Sequence, residues 1–208
     1  MTWLPRDVHK ISGFIAQYKY DDWRTLIYFL PNGEIRFYSR KKARLPRYKP
    51  PVAMMASLKK LKLAPNRLHV LDGGLLHYKT SRIKNTLVIW DVLVQDGNYL
   101  AGTTYRDRYA LLQKICENPK EAAFLSYPDE KTGKIKRLSV GLKIAPHLWL
   151  APQLKGDFKK IFDRTVPFEE LEGLVLKDPN ARLERAFHRD ENARWQIRAR
   201  KPRIDYAF

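Results

Sequence analysis

Apolar and polar positions alternate with a period of two over residues 34–39, and the run TLIYFL at 25–30 precedes them across Pro31-Asn32-Gly33, which predicts a β-hairpin. Residues 86–94 form a strongly apolar strand closed by Asp96-Gly97-Asn98. Residues 68–71 and 75–78 flank Asp72-Gly73-Gly74, which reads as a second turn between strands. Pro46, Pro50 and Pro51 interrupt regular structure, and residues 52–61 then take helical spacing behind a proline opening. Thr104 followed by Asp107 resembles a capping box, since both side chains can satisfy free amides, and it opens a helix to about Glu117. Strands are expected at 134–144, 173–177 and 195–200, with a short helix at 156–164. The pattern is α+β with antiparallel pairs, without an internal repeat or a low-complexity linker.

A chain of 208 residues is long enough for one domain with a real core, so a single domain over 1–208 is expected. Forty Lys and Arg against twenty-two Asp and Glu leave a net charge of +18, which points to a polyanionic partner, most simply nucleic acid. The charge is uneven. Residues 36–62 hold Arg36, Arg40, Lys41, Lys42, Arg44, Arg47, Lys49, Lys59, Lys60 and Lys62 with no acid, and Phe37, Tyr38 and Tyr48 are interleaved with them. That mixture suits gripping phosphates while packing sugars or bases; a solvated basic face is the plainer alternative. Cys116 is the single cysteine, so no internal disulfide can form. With no signal-peptide pattern and no stretch near the ~20 apolar residues a bilayer span needs, a membrane partner is not expected and the location is expected to be intracellular, in the cytoplasm or nucleoid, a phage or virus origin included.

The sweep for chemistry is mostly negative: no Gly-rich phosphate loop, no HExxH, no CxxC, and His9, His69, His77, His147 and His188 lack metal-ligand spacing. Four polar clusters remain, each at the end of an apolar strand: residues 19–24, 71–74, 172–177 and 198–200.

Together and in this order, these clusters resemble the ATP-dependent DNA ligases and their wider superfamily of covalent nucleotidyltransferases, which includes RNA ligases and capping enzymes. Gln17-Tyr18-Lys19-Tyr20-Asp21-Asp22-Trp23-Arg24 is similar to E-x-K-x-D-G-x-R, Ser39-Arg40 to S-R, and Leu71-Asp72-Gly73-Gly74 to L-D-G-E. Trp90-Asp91 with Arg108 and Leu112 resembles F-D with a downstream R-x-x-x-L helix. The run from Glu172 to Pro179 resembles E-G-h-V-h-K-D-P, where h is apolar, and Trp195 with Arg198 and Arg200 resembles W-x-x-K-x-K. Any one motif is weak, and six in order over residues 17–200 are strong.

The resemblance implies a nucleotidyltransferase (ATP-grasp-like) fold of antiparallel sheets flanked by helices. Only eight residues follow Arg200, so no appended OB-fold is expected, and a separate OB-fold or clamp partner would replace it. It also implies ATP and Mg²⁺ as cofactors and nicked duplex DNA as partner. Lys19 is then the amine that becomes adenylated, its pKa lowered by partial desolvation and neighbouring cations. Lys177, Arg198 and Arg200 would stabilise charge at the α-phosphate. Gln17, Arg24, Asp72, Trp90 and Glu172 would bind the nucleotide, with Glu172 and Asp72 also the metal candidates. Arg40, with Lys41, Lys42 and Arg44, would grip nucleic-acid phosphates.

Three departures stand out: Asp22 replaces the motif glycine, Gly74 replaces a glutamate, and arginines replace both terminal lysines. Asp72 or Glu172 is expected to make up for the carboxylate missing at 74. The expected activity is nick sealing in duplex DNA through a lysyl-AMP intermediate. The alternatives are an RNA ligase, or a non-catalytic nucleic-acid-binding protein that retains the fold.

Overall fold

The computed structural model describes residues 2–3, 11–39, 45, 48–129, 132–184 and 196–202, with backbone alone for 2–3. Arg40, Lys41, Lys42, Arg44, Arg47, His9, His188 and Trp195 lie outside the described residues. In chain order the elements are β1 (Thr2–Trp3), β2 (Ile15–Tyr20), β3 (Trp23–Phe29), β4 (Ile35–Ser39), α1 (Val52–Leu58), β5 (His69–Leu76), β6 (Thr86–Gln95), β7 (Asn98–Tyr99), α2 (Tyr105–Ile115), β8 (Ala122–Pro128), β9 (Ile135–Ala145), β10 (Leu148–Leu150), α3 (Phe158–Asp163), β11 (Leu171–Lys177) and β12 (Gln196–Arg200).

Two sheets result. The smaller runs β1-β12-β11-β2, and the larger β4-β3-β5-β6-β10-β9-β8, with β7 paired to β6. Pairing is mostly antiparallel, as the sequence expects, but β10 runs parallel to β6 and β1 parallel to β12. Two apolar cores explain the layering. Leu87 and Ile89 of β6 join Leu71 and Leu75 of β5 in one core, with Met54 and Leu58 of α1 and Tyr105, Tyr109 and Leu112 of α2. Val88, on the opposite face of β6, joins Tyr18 and Tyr20 of β2, Phe162 of α3, Leu174 and Leu176 of β11 and Ala199 of β12 in the second core, between the sheets. A strand buried on both faces reads as a continuous apolar run, which is why residues 86–94 lack alternation.

The hairpin of β3 and β4 and the helix α2 form where expected, the latter with Thr104 accepting from the Asp107 amide at its N-cap. The expected turn at 72–74 does not form. β5 runs straight through it, and its glycines serve close approach rather than turning: a Cβ on Gly73 would lie 2.5 Å from the Val88 carbonyl oxygen of β6. Strands β8 and β10 have no counterpart in the sequence reading.

Candidate functional site

Both sheets contribute walls to one cleft of about 780 Å³. From the small sheet come Gln17 and Lys19 of β2, Glu172, Val175 and Lys177 of β11, and Gln196, Arg198 and Arg200 of β12. From the large sheet come Trp23 and Arg24 of β3, Ser39 of β4, Asp72 of β5 and Trp90 of β6. Strand alternation accounts for most of this set. On β12 it sends Ile197 and Ala199 into the core and Arg198 and Arg200 into the cleft.

Two members of the site sit at register shifts, and one of them, Glu172, breaks the alternation of its strand, while Trp90 keeps the face of Val88. On β6, Ile89 pairs with Gly73 and Asp91 with Asp72, so Trp90 has no opposite residue on β5. On β11, Leu171 pairs with Tyr20 and Gly173 with Lys19, so Glu172 is likewise the extra residue. Such a bulge re-aims a side chain, and the one on β11 turns Glu172 into the cleft, whereas Trp90 reaches it from the same face of β6 as Val88. Gly173 permits the second bulge with φ +134°, a conformation L side chains rarely adopt.

The centre of the cleft is an ion pair. Lys19 Nζ donates to Glu172 Oε2, and Arg200 Nε lies 3.5 Å from the same oxygen. Burial pulls the Lys19 amine below its ordinary pKa, the hydrogen bond and charge of Glu172 push back up, and Arg200 adds a smaller lowering effect. The direction expected from the sequence therefore holds, but burial is the main cause, and the nearest charge is a carboxylate rather than a cation.

A second layer fixes the walls. Arg24 holds Asp72 by two hydrogen bonds, Nε to Oδ1 at 3.0 Å and Nη2 to Oδ2 at 2.7 Å. Asp91 and Arg108, both buried, form the same fork at 2.9 and 3.0 Å, which ties β6 to α2. Tyr105 of α2 donates its hydroxyl to the Trp90 carbonyl, and its ring lies 4.2 Å below the Lys177 ammonium. Burial lowers the Lys177 pKa to about 8, against the pull of Asp91 and Asp72. Gln17 is buried and donates to the Ala151 carbonyl at 3.2 Å.

Of the residues expected to work together, Lys19, Lys177, Arg198, Arg200, Gln17, Arg24, Asp72, Trp90 and Glu172 all line this one cleft. The expected phosphate-gripping arm at Arg40, Lys41, Lys42 and Arg44 lies outside the described residues. For a resident Mg²⁺ the fit is poor. Among the described residues no three metal-ligating side chains cluster, both Asp72 oxygens are taken by Arg24, and Glu172 is held by Lys19 and Arg200.

The sequence reading missed two groups. Lys79 reaches the cleft and pairs with Asp21 at 3.1 Å, with no sequence signal to reveal it. Asp22, visible only as a departure, also lines the cleft, and its carboxyl is pushed up to about 7 chiefly by burial. An acid whose folded pKa lies above the unfolded value of about 3.9 loses stability as pH rises between the two. Asp22→Asn is therefore expected to raise the thermal unfolding midpoint at pH 8 and to lose that advantage by pH 4; equal midpoints at pH 8 would contradict the assignment.

No protein-family model matches the chain, and no curated protein sequence matches it. Solved structures do. The ligase domain of LigD from M. tuberculosis superposes with TM-score 0.62 at 18% identity, covering 96% of this chain and 57% of that one. A mycobacterial DNA ligase D complexed with ATP and MES gives TM-score 0.59 at 19% identity, over 91% and 55% of the two chains. The ATP-dependent DNA ligase of bacteriophage T7, in complex with ATP, gives 0.53 at 10% identity, over 96% and 67%. The present chain thus spans little more than half the length of the two mycobacterial proteins. Its fold, two sheets closing on a cleft with Lys19 at the centre, is the fold of those DNA ligase domains.

Proposed function

We propose that the protein is an ATP-dependent polynucleotide ligase that seals nicks in duplex DNA through a lysyl-AMP intermediate on Lys19. The observation that carries this reading is the half-buried Lys19–Glu172 pair, set in one cleft with Lys177, Arg198 and Arg200 on a DNA ligase domain fold. Lys19 gives a proton to Glu172, and its nitrogen then bonds the α-phosphorus of ATP as the bond to pyrophosphate breaks. The cations around the cleft meet the negative charge that grows on the α-phosphate oxygens. Trp90 offers a ring face for the base, and Gln17 a side-chain amide near it. AMP then passes to a 5′-phosphate, and a 3′-hydroxyl displaces it. Asp72 and Glu172 are already engaged by Arg24, Lys19 and Arg200, so the charge that grows in these steps is met by the cleft's own cations.

Intact-mass measurement after incubation with ATP tests this directly. One added AMP is expected on the parent chain and none on Lys19→Ala; a parent that gains no mass, or a variant that still does, overturns the reading. Two other readings separate in the same experiments. A non-catalytic nucleic-acid-binding protein, favoured by Asp22 and Gly74, would bind DNA and never gain mass. An RNA ligase would seal an RNA-containing nick in preference to an all-DNA one assayed beside it.

The basic run at 36–62 is proposed to grip the DNA backbone. Neutralising about 4 to 6 phosphates gives a log–log salt slope of roughly −4 to −5. Binding that hardly changes between 50 and 200 mM salt, taken here as roughly the range over which such contacts weaken, would remove the arm from the mechanism.

A further inference from the structure

Asp22 and Gly74 are 52 positions apart in sequence and face each other in the fold. Gly74 pairs with Arg24 where β5 meets β3, and Asp22 belongs to the link that carries the chain from β2 into β3. A Cβ placed on Gly74 would lie 2.6 Å from Cγ and 2.7 Å from Cβ of Asp22, closer than real side chains approach. The Asp22 side chain thus fills the room that any side chain at 74 would need. The two departures from the motif pattern are one structural event.

The filler is a costly choice. Burial raises the carboxyl pKa, so at neutral pH the fold carries an acid that asparagine or serine would replace with less penalty. Groups that cost stability in this way concentrate where function requires them. Every charged group bearing on Asp22 belongs to the cleft: Lys19 of β2 is the strongest opposite charge, Lys79 follows, and Glu172 of β11 is the like charge.

We propose that Asp22 is a positioning residue for the Lys19 amine, that with Glu172 it completes a pair of carboxylates acting on that ammonium, and that Gly74 stays bare to admit it. The carboxylate expected from Asp72 or Glu172 in place of the one missing at 74 is in this view supplied by Asp22, since Asp72 is occupied by Arg24. The proposal rests on Lys19 as the reacting group, and its test needs no ATP.

The test is brief acetylation with acetic anhydride at pH 8, reading Lys19 against Lys62, whose side chain is 67% exposed, by peptide mass spectrometry. The chains compared are the parent, Asp22→Asn, Asp22→Gly, Gly74→Ala and the double variant Asp22→Gly/Gly74→Ala. Removing or displacing one carboxylate frees the amine, so relative Lys19 acetylation is expected to rise at least about threefold in each single variant, a shift of roughly half a pKa unit in the interaction. The double variant is expected to match Asp22→Gly alone, because Gly74→Ala acts by displacing a side chain that is no longer there.

Parent-level acetylation in Asp22→Asn or Gly74→Ala would overturn the proposal. So would a Gly74→Ala effect that persists after Asp22 is removed. If Asp22→Gly fails to fold, the Asn and Ala variants still decide. Coupling in a chain that takes no AMP would keep this role and discard nucleotidyl transfer; AMP transfer without coupling would do the reverse.

Discussion

Gly173→Ala is expected to lower the thermal unfolding midpoint by about 10 °C and to cut AMP transfer to Lys19 by more than about 100-fold. A methyl group there would sit 2.9 Å from the Phe162 ring and 3.1 Å from the Ala199 carbonyl carbon, against the backbone of the neighbouring strand β12. Holding alanine at φ +134° costs about 1–3 kcal/mol, and overpacking costs about 1–3 kcal/mol more. For a chain of this size each kcal/mol moves the midpoint by roughly 2–4 °C. The loss of chemistry should accompany the loss of stability, because relaxing the bulge restores strict alternation and turns Glu172 away from Lys19. Thermal scans and intact-mass kinetics on one preparation check both parts; a variant within 2 °C of the parent, on that scale about 0.5–1 kcal/mol at most, would show that the bulge tolerates a side chain.

Arg108→Ala is expected to cost about 3–5 kcal/mol, since it strands the buried Asp91 carboxylate without its fork of hydrogen bonds. Asp91 already has a raised pKa from burial, with Arg108 the main opposing influence. Removing Arg108 raises it further. A raised carboxyl pKa makes stability fall as pH rises from the unfolded value of about 3.9 through the folded one, so the deficit should be largest in alkaline solution and shrink towards pH 4. The double variant Asp91→Leu/Arg108→Met, which removes both charges, is expected to lose much less than Arg108→Ala in urea titrations. Additive losses would show that the pair is not coupled. Arg108→Ala should also weaken nucleotide binding, because α2 carries Tyr105 beneath the Lys177 ammonium.

Much of this site was legible in the sequence because strand alternation is a local property. The faces of β2 and β12 place Gln17 with Lys19 and Arg198 with Arg200, and Thr104 with Asp107 marks the start of α2. The two bulges were not legible. A period of two cannot announce where it slips, and Glu172, the residue that the β11 slip re-aims, showed in the sequence only as one polar residue of the cluster at 172–177. Gly73-Gly74 looks like a turn because glycine signals both reversal and close approach, and only the positions of Val88 and Asp22 decide which. The partner of Lys19 was hidden for a related reason. The sequence shows an excess of cations over the whole chain, while the fold selects Glu172 from 153 positions away.

Lys19, Glu172 and the two arginines of β12 stand on one sheet, whereas Trp90, Arg24 and Asp72 stand on the other, with the second apolar core between. The distance between the Lys19 amine and the Trp90 ring is therefore set largely by the packing of that core, with Gln17 on the Ala151 carbonyl and the Lys177 ammonium on the Tyr105 ring as polar links across the two walls. Trimming Val88, Leu174 or Phe162 is therefore expected to alter the gauge of the cleft from a distance, without touching any side chain that lines it.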